Sequence, residues 1–402
     1  MRLALSRAGM AAHDINELRE KRVSKDHAPF RADQVGSLLR PPELKAARDD
    51  AKAGKITREK LTEIEDRLIR DAVAKQEAVG LQSVTDGDFR RQSWSGDFLT
   101  AIGGVIQVPP PEPEPHSQQN ATPVGAVVRD WQPPTPKVTG KMLWPKEGIA
   151  RKAFEFLKGV TSRTPKVTIP SPSMLHFRGG RGGVDAVAYP QMEQFFEDLI
   201  AVYRAEVQDL AAAGCRYLQL DDTNLAYLCD PKLRERVKGL GEDPDKLPAL
   251  YARFINGAIA DRPRDMKITV HLCRGNSLSR GHAEGGYEPV AEVMFNETKV
   301  DGFFLEYDDA RSGDFAPLRF VPKGDMRIVL GVITSKFGDL EPKDQIKRRL
   351  DEAAKYMPLD QMCLSAQCGF ASHTGGNLLT EDQQWAKLRH VVEIADEVWS
   401  GK

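Results

Sequence analysis

Apolar and polar positions along the chain follow two alternating patterns. Eight short runs are dense in apolar residues, most of them β-branched or aromatic, which is typical of buried strands. The runs lie at residues 34–39, 83–88, 166–172, 217–222, 267–273, 300–307, 327–333 and 362–368. Between them, apolar residues recur at helical spacing, most clearly at residues 58–80, 189–214, 342–358 and 381–399. This alternation predicts an α/β fold, a (β/α)8 TIM barrel, with a doubly wound sheet as the alternative.

One segment interrupts the alternation after the second predicted strand. Residues 105–137 are rich in proline and have no clear period. We interpret them as part of an insertion at about residues 104–165 that leaves the barrel as an arm or a lid. A mobile surface loop is the alternative. The chain is then a single catalytic barrel over residues 28–402, preceded by an N-terminal tail at residues 1–27.

The bulk composition narrows the class of protein. The 402 residues are 41% hydrophobic and 29% charged, which is ordinary for a globular protein. A net charge of −1 argues against a nucleic-acid partner. No apolar run approaches the roughly 18 residues of a membrane span. The five cysteines are an odd and sparse set that does not fit a disulfide framework, so we expect a cytoplasmic protein with reduced thiols.

Candidate metal ligands stand at the ends of three predicted strands. His271 and Cys273 are two positions apart, so their side chains point to the same face of one strand. Glu306 ends the sixth strand and Cys368 ends the eighth. A barrel gathers the carboxyl ends of its strands at one rim, where one nitrogen, two sulfurs and one oxygen suit tetrahedral zinc. The alternative is that the cysteines only pack and that His271 is a hydrogen-bonded core residue.

A zinc ion with two cysteine ligands favours one kind of chemistry. Its thiolate ligands make it a weak Lewis acid for water but a good site for a third thiol. A substrate thiol bound there ionises at neutral pH and stays nucleophilic. We expect Glu306 to be the ligand that such a thiol displaces most easily. The predicted activity is therefore the alkylation of a small thiol.

Acidic residues at two other strand ends suggest what else the substrate carries. Asp88 follows the second predicted strand and Asp221 lies at the end of the fourth, so the barrel rim would also present carboxylates. Such carboxylates near a thiol site favour recognition of an ammonium group, as in an amino acid. Gly36 and Ser37, at the first strand end, offer backbone amides for a carboxylate. Helix caps or turns are the alternative for these residues.

Seven motifs together resemble one known family. They are FRADQVGSLLRP, VTDGDFRRQSW, PSPSMLHFR, YLQLDDTNLAYLCDP, HLCRGN, FFLEYDDARSGDFAPL and LSAQCGFAS. From about Phe30 to Trp399 the chain resembles the C-terminal catalytic barrel of cobalamin-independent methionine synthase, and more closely the short single-barrel relatives of that enzyme. The motifs are specific for the family and less so for one substrate.

The resemblance implies a zinc ion that activates the thiol of homocysteine for attack on a methyl group carried by a folate nitrogen. By position, the zinc ligands would be His271, Cys273, Glu306 and Cys368. Ser37 would hold the carboxylate of the amino acid, and Asp88 and Asp221 would hold its amino group. A methyltetrahydrofolate donor also needs a general acid for its departing nitrogen, for which His176, His373 and Asp308 are candidates.

The chain departs from the family pattern on the donor side. The full-length enzymes have an N-terminal barrel that helps to bind a polyglutamylated folate, and we expect none here. Pro172 stands about where the family has an aromatic residue that stacks on the pterin. Asp88 stands where a glutamate is usual, which shortens the reach by one methylene. The zinc and thiol half of the resemblance is therefore closer than the donor half.

Other functions stay open at this point. Relatives in the family join a thiol to an epoxide or take methyl groups from a corrinoid protein, which would then be a partner. A metal-free lyase or decarboxylase would bind an acidic substrate through Asp86, Arg90, Arg91 and Arg274, and Arg274 is in any case a candidate for substrate binding. A structural zinc site, closed by four permanent ligands, is the third class.

Overall fold

The computed structural model describes residues 27–109, 123, 125–128 and 134–399. The predicted tail at residues 1–27 lies outside this part of the chain except for its last residue. The strands are β1 Ser83–Val84, β2 Gly103–Val108, β3 Thr135–Leu143, β4 Thr164–Pro165, β5 Val167–Pro170, β6 Tyr217–Asp222, β7 Lys267–Leu272, β8 Gly302–Glu306, β9 Arg327–Ile333 and β10 Met362–Ala366. The α-helices are α1 Pro42–Lys52, α2 Arg58–Ala78, α3 Gly96–Ala101, α4 Arg151–Val160, α5 Met192–Ala212, α6 Asn224–Tyr227, α7 Pro231–Gly239, α8 Leu247–Ala258, α9 Glu288–Glu297, α10 Lys343–Ala353 and α11 Glu381–Trp399.

A six-stranded parallel sheet is the centre of the molecule. Its order is β10-β9-β8-β7-β6-β5, and every neighbouring pair is parallel. All residues of β6, β8, β9 and β10 are buried, as expected for parallel strands covered on both faces. The last six predicted strands are thereby confirmed. Because they run in parallel, their carboxyl ends meet at one edge, which places the candidate ligands together.

The first predicted strand is wrong. Residues 34–39 are extended but belong to no strand, because Gly36 has a φ of 130° and breaks the regular ladder. Single backbone hydrogen bonds hold this segment on both sides. Asp33 N donates to Leu364 O of β10 at 3.0 Å, and Leu38 N donates to Gly87 O at 3.1 Å.

The second predicted strand, at residues 83–88, shortens to β1, which pairs in parallel with β4. Beyond β1, the side chain of Gln76 makes the backbone hydrogen bonds that a neighbouring strand would otherwise make. Its Oε1 accepts from Thr85 N and its Nε2 donates to Thr85 O, each at 2.9 Å. Lys166 N donates to Val84 O at 2.8 Å, which joins this pair to the start of β5. The described residues therefore show a six-stranded sheet flanked by a separate pair.

The predicted insertion contains regular structure that the sequence pattern did not reveal. Within residues 104–165, strand β3 pairs with β2 in antiparallel fashion, and α4 follows them. Val138, in β3, is fully buried and belongs to the main core. The proline-rich tip lies mostly outside the described residues. The arm is thus anchored to the body of the protein through its two strands.

Two long helices confirm the helical periodicity and its stop signals. Helix α2 begins after Thr57, whose side chain accepts a hydrogen bond from the first turn, and ends shortly before Gly80. Helix α5 ends shortly before Gly214. Both glycines have a positive φ, of 99° and 97°, which is the left-handed conformation that terminates helices. In the part of the chain that the structure describes, no helix has the length and apolarity to cross a membrane.

We expect Gly331→Ala to destabilise the sheet next to the candidate site. A Cβ at Gly331 would lie 2.5 Å from Gln367 Cα and 2.9 Å from Leu305 O, and these backbone atoms can move only if β8 or β10 moves. Overpacking of this kind costs about 1–3 kcal/mol in the free energy of unfolding, measurable by urea denaturation. Gly159→Ala is the control, because nothing lies within 4 Å of its added methyl group. Equal free energies of unfolding for the two variants would contradict the prediction.

Candidate active site

The candidate site lies at the carboxyl ends of the parallel strands and contains two adjoining cavities. The narrow one, of about 40 Å³, is lined by Val35, Ser37, Asp88, Trp94, Thr168, Asp221, Asp222, His271, Cys273, Cys368, Gly369 and Ser372. The wide one, of about 420 Å³, opens beside it. Trp94, Cys273 and Ser372 line both cavities and form their common wall. We call them the thiol pocket and the second cavity.

The structure brings the four predicted metal ligands together. His271 belongs to β7, Cys273 follows that strand directly, Glu306 ends β8, and Cys368 lies two residues after β10. Their ligand atoms all lie within 4.8 Å of one another. The two Sγ atoms of Cys273 and Cys368 are 3.5 Å apart. The parallel register produces this cluster, because it sets Asp221 beside His271 and Leu272 beside Leu305.

The polar atoms of this cluster fit a divalent cation. His271 is 1% exposed, yet neither ring nitrogen has a hydrogen-bond partner. Glu306 is fully buried; its Oε1 accepts from Arg274 N at 2.8 Å, and its Oε2 accepts no hydrogen bond. Buried polar atoms are almost always hydrogen-bonded or bound to metal, so these orphaned atoms fit a site that binds a cation. One imidazole, two thiols and one carboxylate form a donor set that suits zinc.

The pKa shifts of the four side chains also favour a bound positive charge. Burial raises the pKa of Glu306 to about 7. The hydrogen bond between the two cysteines lowers the pKa of Cys368 and raises that of Cys273, so the pair shares one proton. Arg311 lies 3.9 Å from Glu306 Oε2. A cation bound by all four groups would replace the shared proton and stabilise the buried negative charge.

The predicted substrate carboxylates lie in the thiol pocket but are not equivalent. Asp88, at a φ of 61°, forms an ion pair with Arg91 at 3.2 Å. Asp221 accepts a hydrogen bond from Gln219 Nε2 at 2.7 Å and, among the described residues, has no ion-pair partner. Burial raises the pKa of Asp221 to about 7. Asp221 is therefore the carboxylate best placed to receive an ammonium group, and Ser37 lines the same pocket.

Several other predicted site residues lie away from both cavities. His176 is buried between Tyr251, whose hydroxyl is 3.1 Å from Nδ1, and Glu242, 3.4 Å from Nε2. Asp308 forms a buried ion pair with Lys336 at 2.6 Å, which helps to lower the pKa of Asp308. Neither residue lines the thiol pocket or the second cavity.

The residues of the metal-free alternative are not gathered at either cavity. Arg274 is fully buried and stacks on Tyr287 at 4.2 Å, so its guanidinium does not reach a substrate there. Arg90 pairs with Asp66 on helix α2 at 2.5 Å. Asp86 and Arg91 are likewise absent from the walls of both cavities. This arrangement offers no common site for an acidic substrate.

The second cavity contains residues that the sequence pattern alone did not single out. Trp94, in the segment after the second strand end, forms part of the common wall, and Arg178 and His282 line the cavity further on. His373, the remaining candidate for the general acid, also lines it. Its Nδ1 accepts from Gly375 N at 3.0 Å, so its Nε2 carries the proton and donates to Ser277 Oγ at 2.9 Å. The only sequence signal for Trp94 was an aromatic residue close to an acidic strand end.

The sequence is similar to one family model and to several known proteins. Residues 30–397 match the family model described as the catalytic domain of cobalamin-independent synthase. The chain is 48% identical to uncharacterized protein YxjH of Bacillus subtilis over 96% of this chain and 100% of that protein. It is 23% identical to a methionine synthase of Pyrococcus abyssi over 83% of this chain and 84% of that protein.

A solved structure agrees as well. A crystal structure named "Putative Vitamin-B12 Independent Methionine Synthase" from Listeria monocytogenes is 41% identical, with a TM-score of 0.73, and the match covers 93% of this chain and 99% of that one. The family match spans almost the whole described chain and includes every residue of the four-ligand cluster. The chain therefore belongs to the family of cobalamin-independent synthase catalytic domains, a family of methionine synthase-like methyltransferases.

Proposed function

We propose that the protein is a zinc-dependent methyltransferase that moves a methyl group from a methyltetrahydrofolate-type donor to the thiol of homocysteine or a similar small thiol. The observation that carries this proposal is the buried cluster of His271, Cys273, Glu306 and Cys368, with ligand atoms within 4.8 Å of one another. Zinc, when bound, supplies the positive charge that keeps a substrate thiol ionised at neutral pH.

The thiol pocket supports an amino acid as the acceptor. Asp221, without a cationic partner among the described residues, would bind the ammonium group of the substrate. Asp88 is held by Arg91 and would contribute to the same negative field. Ser37 lies across the pocket, at the segment whose backbone would hold the substrate carboxylate. These residues orient the thiol toward the cluster and leave its sulfur facing the common wall.

The second cavity supports a donor that approaches from the other side of the common wall. Transfer of a methyl group requires the thiol and the donor to touch, and the two cavities adjoin at Cys273, beside the metal ligands. The partly buried indole of Trp94 offers a flat surface for a planar donor. His373 lines the same cavity, so we assign it the role of general acid for the departing nitrogen.

Alternative functions are less well supported. A structural zinc site would be closed, whereas His271, Cys273 and Cys368 all line the thiol pocket. A corrinoid protein or an epoxide as the source of the alkyl group would use the same thiol pocket and remains the second form of the proposal. Reduced thiols at the cluster require a reducing compartment, and we propose the cytoplasm.

The same proposal includes a closed barrel. The hydrogen bonds from Asp33 to Leu364, from Leu38 to Gly87 and from Lys166 to Val84 follow each other around the sheet. We propose that residues 34–39 and 83–88 occupy the two remaining places of a (β/α)8 barrel. The arm at residues 104–165 would then be an insertion in a single domain.

We expect one zinc ion per chain in the purified protein and its loss in Cys273→Ser, because the variant removes a thiolate ligand. Added homocysteine should bring a further sulfur neighbour to the zinc, detected by X-ray absorption. Cys363→Ser is the matched control, since Cys363 is a buried thiol of β10 that lies outside the cluster. Zinc that is indifferent both to the Cys273 variant and to homocysteine would disprove the proposal.

We expect Asp221→Asn to lose affinity for homocysteine on the order of tenfold to a hundredfold, because it removes the ammonium partner. The thiol 4-mercaptobutanoate lacks the ammonium group and should bind equally to both proteins, as calorimetry would measure. An equal loss for both thiols would contradict the assignment of Asp221.

The same variant should change how stability depends on pH. The pKa of Asp221 is raised to about 7 on folding, so the folded protein holds this proton more tightly than the unfolded chain. Its contribution to stability is full below about pH 4 and is lost as the pH rises to about 7. Metal-free Asp221→Asn should therefore gain stability over the native protein between pH 5 and 8, by up to about 4 kcal/mol in urea unfolding. The difference in the free energy of unfolding between the two proteins should grow from pH 5 to pH 8. An equal difference at these two pH values would contradict the raised pKa.

We expect His373→Gln to lower kcat with methyltetrahydrofolate by about 10²–10⁴-fold, because the departing nitrogen would lack its proton donor. Transfer from methylcobalamin, whose cobalt leaves without a proton, should change little in the same variant. His176→Gln is the control, since His176 lies outside both cavities. If His373→Gln slows both donors equally, His373 positions the donor and is not the acid.

A further inference from the structure

Arg178 is a cation in the second cavity without a counterion. It follows Phe177, whose ring packs on Tyr227 at 6.1 Å, and its side chain lines the cavity beside Tyr227. Its Nη1 donates to Pro134 O at 3.3 Å. Throughout the described ranges, no carboxylate lies within ion-pair distance of it. Three of the five N–H donors of a guanidinium would be left for a ligand even if Pro134 O took two.

Several other arginines have a carboxylate partner, which Arg178 lacks among the described residues. Arg48 lies 3.7 Å from Glu65, Arg91 lies 3.2 Å from Asp88, and Arg311 lies 2.7 Å from Asp309. Burial lowers the pKa of Arg178, which reflects the cost of holding its charge in this half-buried position. A charged group in such a position is normally compensated by an opposite charge.

The second cavity offers little negative charge to balance Arg178. Asp97 is the one acidic side chain among the described lining residues. Asp97 Oδ2 accepts hydrogen bonds from Gln92 N and Ser93 N, at 2.6 and 3.1 Å, so this carboxylate already binds the backbone of its own loop. Burial lowers the pKa of His282 to about 4, so this side chain is neutral at pH 7. The cavity therefore attracts an anion.

We propose that the second cavity is an anion-binding site in which Arg178 holds a carboxylate or a phosphate of the methyl donor. This inference rests on the proposed function, because it assigns the second cavity to the donor. The planar guanidinium can bind either anion through two parallel hydrogen bonds, which fixes both position and orientation. An anion held at Arg178 would keep the donor in the cavity that Cys273 and Trp94 border. Arg178 would thus determine which donors are accepted.

The carboxylate of a glutamyl tail is tested first. Calorimetry compares 5-methyltetrahydrofolate with its diamide, in which both glutamate carboxylates are neutral. We expect Arg178→Gln to bind the acid on the order of tenfold to a hundredfold more weakly, as for a lost charge-assisted hydrogen bond, and to bind the diamide unchanged. Arg178→Lys keeps the charge but cannot form two parallel hydrogen bonds, so its affinity for the acid should lie between those of the native protein and Arg178→Gln. Arg236→Gln removes an exposed charge near Arg178 without altering the cavity wall and should have no effect.

Inorganic phosphate tests the other source of the anion. If phosphate binds the native protein and not Arg178→Gln, while acid and diamide bind equally, Arg178 binds a phosphate-type anion and the folate carboxylate is ruled out as its ligand. If Arg178→Gln changes neither donor binding nor phosphate binding, the inference is overturned. Zinc content and the sulfur neighbour added by homocysteine should be the same in the native protein and in Arg178→Gln. Failure of those two readouts in the native protein would overturn the proposed function, whereas the phosphate and folate titrations decide the anion site separately.

Discussion

Buried negative charge at the carboxyl ends of the parallel strands is the constraint on which the site depends. The register of β6, β7 and β8 brings Asp221, His271 and Glu306 to one edge, and the turns after β7 and β10 add two thiols. Two carboxylates there have a pKa near 7 because of burial. Cations stabilise such a cluster, and the chain supplies two of them, Lys336 and Arg311, which lower the pKa of Glu306 against the effect of burial. We propose that a metal ion and a substrate ammonium group supply further positive charge.

Strand-end reasoning worked where the strands are continuous apolar runs. The six central strands are buried on both faces, so their sequence pattern is unambiguous, and the four candidate ligands could be placed together from sequence. The same reasoning failed at residues 34–39 and 83–88. There, a glycine with positive φ and the side chain of Gln76 replace the regular ladder. Gln76 and Thr85 are nine residues apart, and a hydrogen bond between a helix side chain and a later backbone group has no periodic signal in the sequence. The pattern of apolar residues therefore could not reveal it.

The donor side was harder to predict because it depends on contacts between distant segments. His176, His373 and Asp308 were equal candidates in the sequence. Their surroundings differ only through remote partners: Tyr251 and Glu242 enclose His176, and Lys336 neutralises Asp308. Arg178 went unnoticed for the same reason, since the absence of a counterion is a property of the folded cavity. Local sequence sets the metal ligands here, whereas tertiary packing sets the residues around the donor.

The common wall between the two cavities limits how the two specificities can diverge in evolution. Trp94, Cys273 and Ser372 belong to both cavities, so a change at any of them alters acceptor and donor together. Thr168 and Asp88 border only the thiol pocket, and Arg178 borders only the second cavity. If the second cavity holds the donor as proposed, one methyl donor can be exchanged for another through residues of that cavity alone while the acceptor stays the same.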